Sequence, residues 1–274
     1  MASEEYFTTS HDKLCRDTFD QVFDDVESKS ADYGLVAIEN SLYGSINDVY
    51  DLLLKHRIWI SGEFYMQIHH CLLGPSINTP FNDIKTIRSH PVALAQCEDF
   101  LQQHFPHAQW IATNDTAGSA KAIAQAQDPS QAAIASRSAA ELYGLPVLAK
   151  DIESHTQNYT RFITLQSDQA EDEEADKSSI ILRTDHSPGA LYKALGAFYK
   201  QDINLTKIES RPIFGQVWQY QFYIDFEAGL SQDATEKAFK ELKDNGCTIT
   251  MLGSYRSDSL QQTPHTKAPR RAFA

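Results

Sequence analysis

Residues 166–178 include Asp168, Glu171, Asp172, Glu173, Glu174 and Asp176, and no apolar side chain larger than alanine. Like charges with nothing to bury cannot build a core, so this stretch predicts a linker. It divides the 274 residues into a first domain (1–166), a linker (167–178), a second domain (179–256) and a tail (257–274). The tail holds Pro264, Lys267, Pro269, Arg270 and Arg271, and its polarity predicts a frayed terminus.

The second domain has the clearer pattern. Residues 179–183 are β-rich. Ser187-Pro188 predicts an N-cap followed by proline at the first helical position. Ala190, Leu191, Ala194, Leu195 and Phe198 then recur at helical spacing. Residues 203–208 read as extended. Trp218, Tyr220, Phe222, Ile224 and Phe226 alternate with Gln219, Gln221, Tyr223, Asp225 and Glu227, a half-buried strand. Ser231 can cap a helix carrying Ala234, Ala238, Phe239 and Leu242, closed by Gly246. Residues 248–252 supply a last strand. The order β-α-β-β-α-β is the ferredoxin-like unit.

In the first domain strands and helices alternate. Strands are expected at 33–38, 59–73, 83–88, 132–135 and 158–165, and helices at 46–55, 91–104, 116–126 and 138–143. This is an α/β pattern with mostly parallel pairing expected. Ligand sites in open α/β sheets lie at the carboxyl ends of strands, where Glu39-Asn40-Ser41, Ser89-His90-Pro91 and Asn114-Asp115-Thr116 fall.

The net charge of -13 argues against a nucleic-acid or anionic-membrane partner, because phosphate binding needs a basic face. A small anion remains possible, since a local arginine can outweigh a distant acidic surface. Cys15, Cys71, Cys97 and Cys247 form no Cys-x-x-Cys pair and have no histidine at zinc-ligand spacing, so they read as free thiols, with no metal expected. No apolar run nears the ~20 residues that span a bilayer, and acidic residues interrupt the first dozen positions. A cytoplasmic setting is expected.

Each polar group has a bland reading beside a functional one. Glu39-Asn40-Ser41, followed by Gly44-Ser45, could aim backbone N–H groups at a carboxylate, or be an ordinary turn. Ser89 is a good N-cap, whereas Gln96, farther along the same helix, is not needed for capping. His90 reads as a structural hydrogen bonder before a general acid. Asp115 reads first as an N-cap, and otherwise as part of an anion-binding helix N-terminus with Thr116. In Thr160-Arg161-Phe162 the side chains alternate, so Thr160 and Phe162 share a face and Arg161 takes the other. No Ser-His-Asp set, P-loop or dinucleotide fingerprint occurs.

Taken in order, these motifs resemble the prephenate dehydratase family. The match comprises Glu39-Asn40-Ser41 with Gly44-Ser45, Ser89-His90-Pro91 with Gln96-Cys97, Asp115-Thr116, Leu142-Tyr143-Gly144-Leu145, and Asn158 with Thr160-Arg161-Phe162. The second domain resembles a phenylalanine-sensing ACT regulatory domain, through Gly189-Ala190-Leu191 and the run Asn204-Leu205-Thr206-Lys207-Ile208-Glu209-Ser210-Arg211-Pro212. Two departures stand out. Val92 replaces the family's usual glutamine, and the family's first strand and Gly-rich turn are absent from the start of this sequence, as expected of a chain read from an internal methionine or, otherwise, of a compromised one.

The resemblance implies a two-lobed, periplasmic-binding-protein-like catalytic domain with substrate in its cleft, followed by the ferredoxin-like ACT domain. It implies decarboxylating dehydration of prephenate to phenylpyruvate without a cofactor, phenylalanine as effector, and a homodimer or homotetramer. Thr160 would hydrogen-bond the departing hydroxyl, and Arg161 would hold a substrate carboxylate or the cleft geometry. Glu39 and Asp115 are the carboxyls able to carry a proton, and Asn40, Ser41, Ser89, Gln96, Thr116 and Phe162 would line the substrate site. Gly189, Ala190, Leu191, Asn204, Glu209, Ser210, Arg211 and Pro212 would bind the effector. Arogenate dehydration, and a catalytically silent phenylalanine sensor, are the alternatives.

Overall fold

The computed structural model describes residues 2–7, 10–169 and 172–258; the expected tail lies outside them from residue 259 onward. In chain order the elements are α1 (Ala2–Tyr6), α2 (Phe19–Glu27), β1 (Gly34–Asn40), β2 (Gly44–Ser45), α3 (Asn47–Lys55), β3 (Trp59–Gln67), β4 (Cys71–Leu73), β5 (Thr86–Ser89), α4 (Pro91–Gln96), α5 (Glu98–His104), β6 (Gln109–Ala112), α6 (Thr116–Ala126), β7 (Gln131–Ala135), α7 (Arg137–Tyr143), β8 (Val147–Ala149) and β9 (Tyr159–Gln166). There follow β10 (Lys177–Arg183), α8 (Ala190–Tyr199), β11 (Leu205–Pro212), β12 (Tyr220–Phe226), α9 (Asp233–Asp244) and β13 (Thr248–Tyr255). Gln67–Tyr159 forms one compact unit, and Ala2–Met66 with the chain from Thr160 onward forms the other.

The Gln67–Tyr159 unit is built on a sheet of order β6-β5-β7-β4-β8. β5 pairs in parallel with β6 and β7, and β4 pairs antiparallel with β7 and β8. Adjacent residues of β4 feed opposite faces: Leu72 packs with Ile87, Leu101 and Ile134, and Leu73 with Ala120, Ile123 and Ala133. The helix expected over 91–104 is two helices, broken at Cys97, whose φ of -109° and ψ of 15° leave the helical region.

The second unit holds two sheets, β2-β1-β9-β3 and β11-β12-β10-β13. β1 pairs antiparallel with both β2 and β9. The expectation of mostly parallel pairing is therefore wrong for the first domain. Parallel pairs survive where helices α4–α6 make the crossovers; β1–β2 is a short turn, and β9 enters from a distant part of the chain. The sequence reading also omitted α2, which a Thr18–Gln21 capping box starts.

The β11-β12-β10-β13 order is the ferredoxin-like arrangement, and both faces of that sheet are buried. Ile180, Leu182, Ile224 and Phe226 face Phe198 of α8 and Leu242 of α9. Ile181, Tyr223, Leu252 and Tyr255 instead share a core with Phe23, Val36, Val49, Ile60, Ile163 and Leu165. Gly253 permits the close approach there: a Cβ on it would stand 2.0 Å from the Ile60 carbonyl oxygen.

Three local expectations change. The acidic run is pinned by cations, with Asp168 on Lys29 and Asp172 on Arg256, and its last two residues already belong to β10. α8 starts at Ala190 after Gly189, whose φ of +81° suits glycine, so Ser187-Pro188 is a turn before the helix. Gln232 rather than Ser231 precedes α9, with no side-chain cap. All four cysteines are free; three are buried and Cys15 is exposed.

Candidate functional site

Thr160 and Asn40 are cross-strand partners at the ends of β9 and β1. The Asn40 Oδ1 accepts from the backbone N–H groups of Leu42 and Tyr43, at 3.0 and 3.1 Å. Two donors on that atom fix the amide orientation, so Nδ2 faces Thr160 and donates to its Oγ1 at 3.1 Å. The hydroxyl oxygen is held as an acceptor, and among the described residues its own proton meets no acceptor. Ser41, next in the turn, is exposed, and Phe162 is half-buried with its ring 6.4 Å from Phe64.

Glu39 and Arg161 form the neighbouring cross-strand pair. The Lys207 Nζ donates to Glu39 at 2.8 Å and to Ser45 at 2.8 Å. Arg161 is 5 % exposed. Its Nε donates to Glu63 at 2.8 Å, Nη1 to Asp225 at 2.5 Å and Nη2 to the Tyr255 phenol at 3.0 Å. Of the two roles expected of Arg161, holding a substrate carboxylate or the cleft geometry, the first is disfavoured, because the guanidinium is engaged by these buried partners. Burial opposes the charge on Arg161, but Asp225 and Glu63 outweigh it and raise its pKa further. Burial likewise opposes ionisation of Asp225, yet Arg161, the Ser179 hydroxyl and Lys177 hold its carboxyl below the usual range.

The second group of candidates lies in the Gln67–Tyr159 unit. A cavity of about 280 Å³ is lined by His70, His90, Val92, Gln96, Asn114, Asp115 and Thr116, among others. Gln96 Oε1 lies 2.6 Å from His70 Nε2. Burial pushes the His70 pKa down, so its ring is neutral at pH 7 and donates to Gln96. Asp115 is the N-cap of α6 and accepts from Gly118 N, which is the bland reading of that residue. His90 caps α4, its Nδ1 accepting from Val92 N at 3.2 Å. Ser89 is thus not the cap, and it is not at the cavity either: it is fully buried and donates to the Ile134 carbonyl at 2.7 Å. Its inward side of β5 explains the miss.

The effector candidates also divide. A cavity of about 390 Å³ is lined by residues 184–188, Ala190, Leu191, Gln219, Tyr220 and Phe222, with Gly189 in the turn beside it. Ser210 and Pro212 stand opposite Phe222 and Tyr220 in the ladder. Glu209 and Arg211 alternate to the other face of β11, where Glu209 accepts from Ser45 at 2.6 Å and Arg211 donates to Asp51 at 2.7 Å. Asn204 donates to Glu227 at 2.9 Å. These three are corrected as residues already engaged away from that cavity. Sequence reasoning missed His70, Glu63 and Tyr255, and gave Asp225 no role beyond its place in a strand.

Among the described residues, Asp24, Glu27 and His56, and His69, Asp151 and Glu153, are close enough to share a cation. In each group the histidine is already hydrogen-bonded to a carboxylate, His56 to Glu27 and His69 to Glu153.

The family model for prephenate dehydratase matches residues 1–170. The chain belongs to this family. It is 42% identical over 257 residues to arogenate dehydratase 2 of Petunia hybrida, covering 88% of this chain and 64% of that relative, so it spans just under two thirds of the relative's length. A prephenate dehydratase from Arthrobacter aurescens, solved with L-Phe, superposes with a TM-score of 0.80 at 30% identity, covering 93% of this chain and 84% of that one. GqqA, described as a novel type of quorum quenching acylase, superposes at 0.85 with 29% identity, covering 95% of each chain. No helix among the described residues is long and apolar enough to cross a membrane.

Proposed function

We infer that this chain is a prephenate dehydratase regulated by phenylalanine. The observation that carries the reading is the Asn40 amide donating to Thr160 Oγ1. Prephenate needs little from an enzyme, because losing its ring carboxylate as carbon dioxide and its ring hydroxyl as water makes an aromatic ring. The electron pair of the broken C–C bond enters the ring as the C–O bond breaks, and the leaving hydroxide takes one proton. A hydroxyl whose oxygen is already held as acceptor presents its hydrogen to that leaving group. Thr160 donates and positions, and solvent supplies the net proton. Gln96, Asn114 and Thr116 are neutral donors suited to a carboxylate.

The same geometry disfavours Thr160 as the nucleophile of an acyl transfer. A nucleophilic hydroxyl needs a base to take its proton, and the neighbour of Thr160 is an amide donor. The cavity beside Gly189, Ala190 and Leu191 supports assigning residues 179–256 as the phenylalanine-sensing regulatory domain. Tyr192, Tyr199, Phe214, Val217 and Trp218 are exposed there and support a homo-oligomer. The free thiols fit a cytoplasmic setting.

Thr160→Ala is the test. It should lower kcat by roughly 100-fold or more with KM changed little, the pattern of a contact made in the transition state. Wild-type kcat in that variant would remove Thr160 from the mechanism.

A further inference from the structure

Two consecutive cross-strand pairs of β1 and β9 have different partners. Asn40–Thr160 carries the proposed chemistry. Glu39–Arg161, one step along, is held by residues of the ferredoxin-like sheet. Arg161 takes Asp225 of β12 and Tyr255 of β13, and Glu39 takes Lys207 of β11. Ser179 of β10 completes the set, donating to the second Asp225 oxygen at 2.6 Å and lying 2.7 Å from the Tyr255 hydroxyl. Glu63, which also receives Lys177 at 2.8 Å, balances the charges.

A buried ionic cluster is a poor way to gain stability, since apolar side chains of similar size usually serve as well. What it can supply is register. Side chains alternate with period two along a strand, so a one-residue slip of β9 would turn Thr160 from its face to the opposite one. The cluster fixes the residue next to Thr160, and Lys207 fixes the residue next to Asn40.

We propose that Asp225 and Lys207 are positioning residues for the dehydration, holding Thr160 and Asn40 in line from the ferredoxin-like sheet through Arg161 and Glu39. The proposal rests on the assignment of Thr160. It gives that sheet a part in catalysis with no effector bound, and it gives any movement of β11 or β12 a direct route to the reacting pair.

The experiment measures kcat and KM for phenylpyruvate formation from prephenate by Asp225→Asn, Lys207→Met, Lys207→Arg, Tyr255→Phe and Thr160→Ala in the full chain. Circular dichroism gives the folded fraction of each. Asp225→Asn should lower kcat by roughly 10- to 100-fold with KM within about threefold, the mark of misplaced rather than missing groups. Lys207→Met should lower kcat less, and Lys207→Arg should restore most of it. If Asp225→Asn does not fold, Lys207→Met and Tyr255→Phe decide, because neither leaves a fully buried unpaired charge. Folded Lys207→Met and Tyr255→Phe with kcat within twofold of wild type would overturn the proposal, as would kcat losses no larger than the loss of folded protein. Wild-type turnover in Thr160→Ala would instead overturn the Thr160 assignment.

Discussion

Gly253→Ala tests how the ferredoxin-like sheet meets β3. The added Cβ would lie 2.0 Å from the Ile60 carbonyl oxygen, 2.9 Å from its carbon and 2.9 Å from the Ile60 Cβ. An ordinary contact begins at 3.4 Å, so the backbones must part by about 1.4 Å. No side-chain rotation can relieve it, because the nearest atoms are main chain. β13 is hydrogen-bonded along its length to β10, so the shift spreads through the sheet and loosens the core shared by Leu252, Tyr255, Ile60 and Ile181. Overpacking of this kind costs about 1–3 kcal/mol, and the upper end is expected where backbone meets backbone. For a protein of this size that lowers Tm by roughly 6–12 °C. Thermal unfolding followed by circular dichroism reads it directly. Tyr255, two residues away, accepts from Arg161 through its phenol oxygen, so kcat should fall as well. An unchanged Tm in Gly253→Ala would show that β13 does not lie against Ile60 as described.

Two further outcomes follow from the cavities. Gly189→Val puts a β-branched residue at φ +81° beside the cavity of Ala190 and Leu191; phenylalanine inhibition should weaken at least tenfold while uninhibited kcat stays near wild type, and unchanged inhibition would place the effector elsewhere. Burial lowers the His70 pKa in the folded state, so the unfolded chain binds the extra proton first and stability should fall as pH drops below about 6.5; a Tm profile whose slope over pH 5–7 is the same in His70→Gln would contradict this.

The ferredoxin-like half was legible because its strands alternate and its helices are amphipathic, signals that survive without knowledge of neighbours. Even so, Tyr223 gave no sign of its partner core: it alternates with Gln221 and Asp225 onto the side read as solvated, and that side is buried as well. Mostly parallel pairing was inferred from alternating elements, yet β9 pairs antiparallel with β1 across more than a hundred residues, and no local pattern encodes that. Thr160 and Asn40 were legible as polar residues at strand ends, and alternation placed Arg161 opposite them. The destination of Arg161 was not legible, since Glu63, Asp225 and Tyr255 are scattered through the chain with no shared motif. Asp115 and Ser89 mark the same limit: capping and inward burial explain them, and only the fold shows which.

The decisive measurement is turnover of prephenate by the purified chain. Phenylpyruvate formation and carbon dioxide release would be followed with and without phenylalanine, with arogenate as a second substrate and Thr160→Ala as the control. Turnover that phenylalanine suppresses and that Thr160→Ala loses is expected. A folded chain that binds phenylalanine but turns over neither substrate would contradict it and leave a sensor in its place.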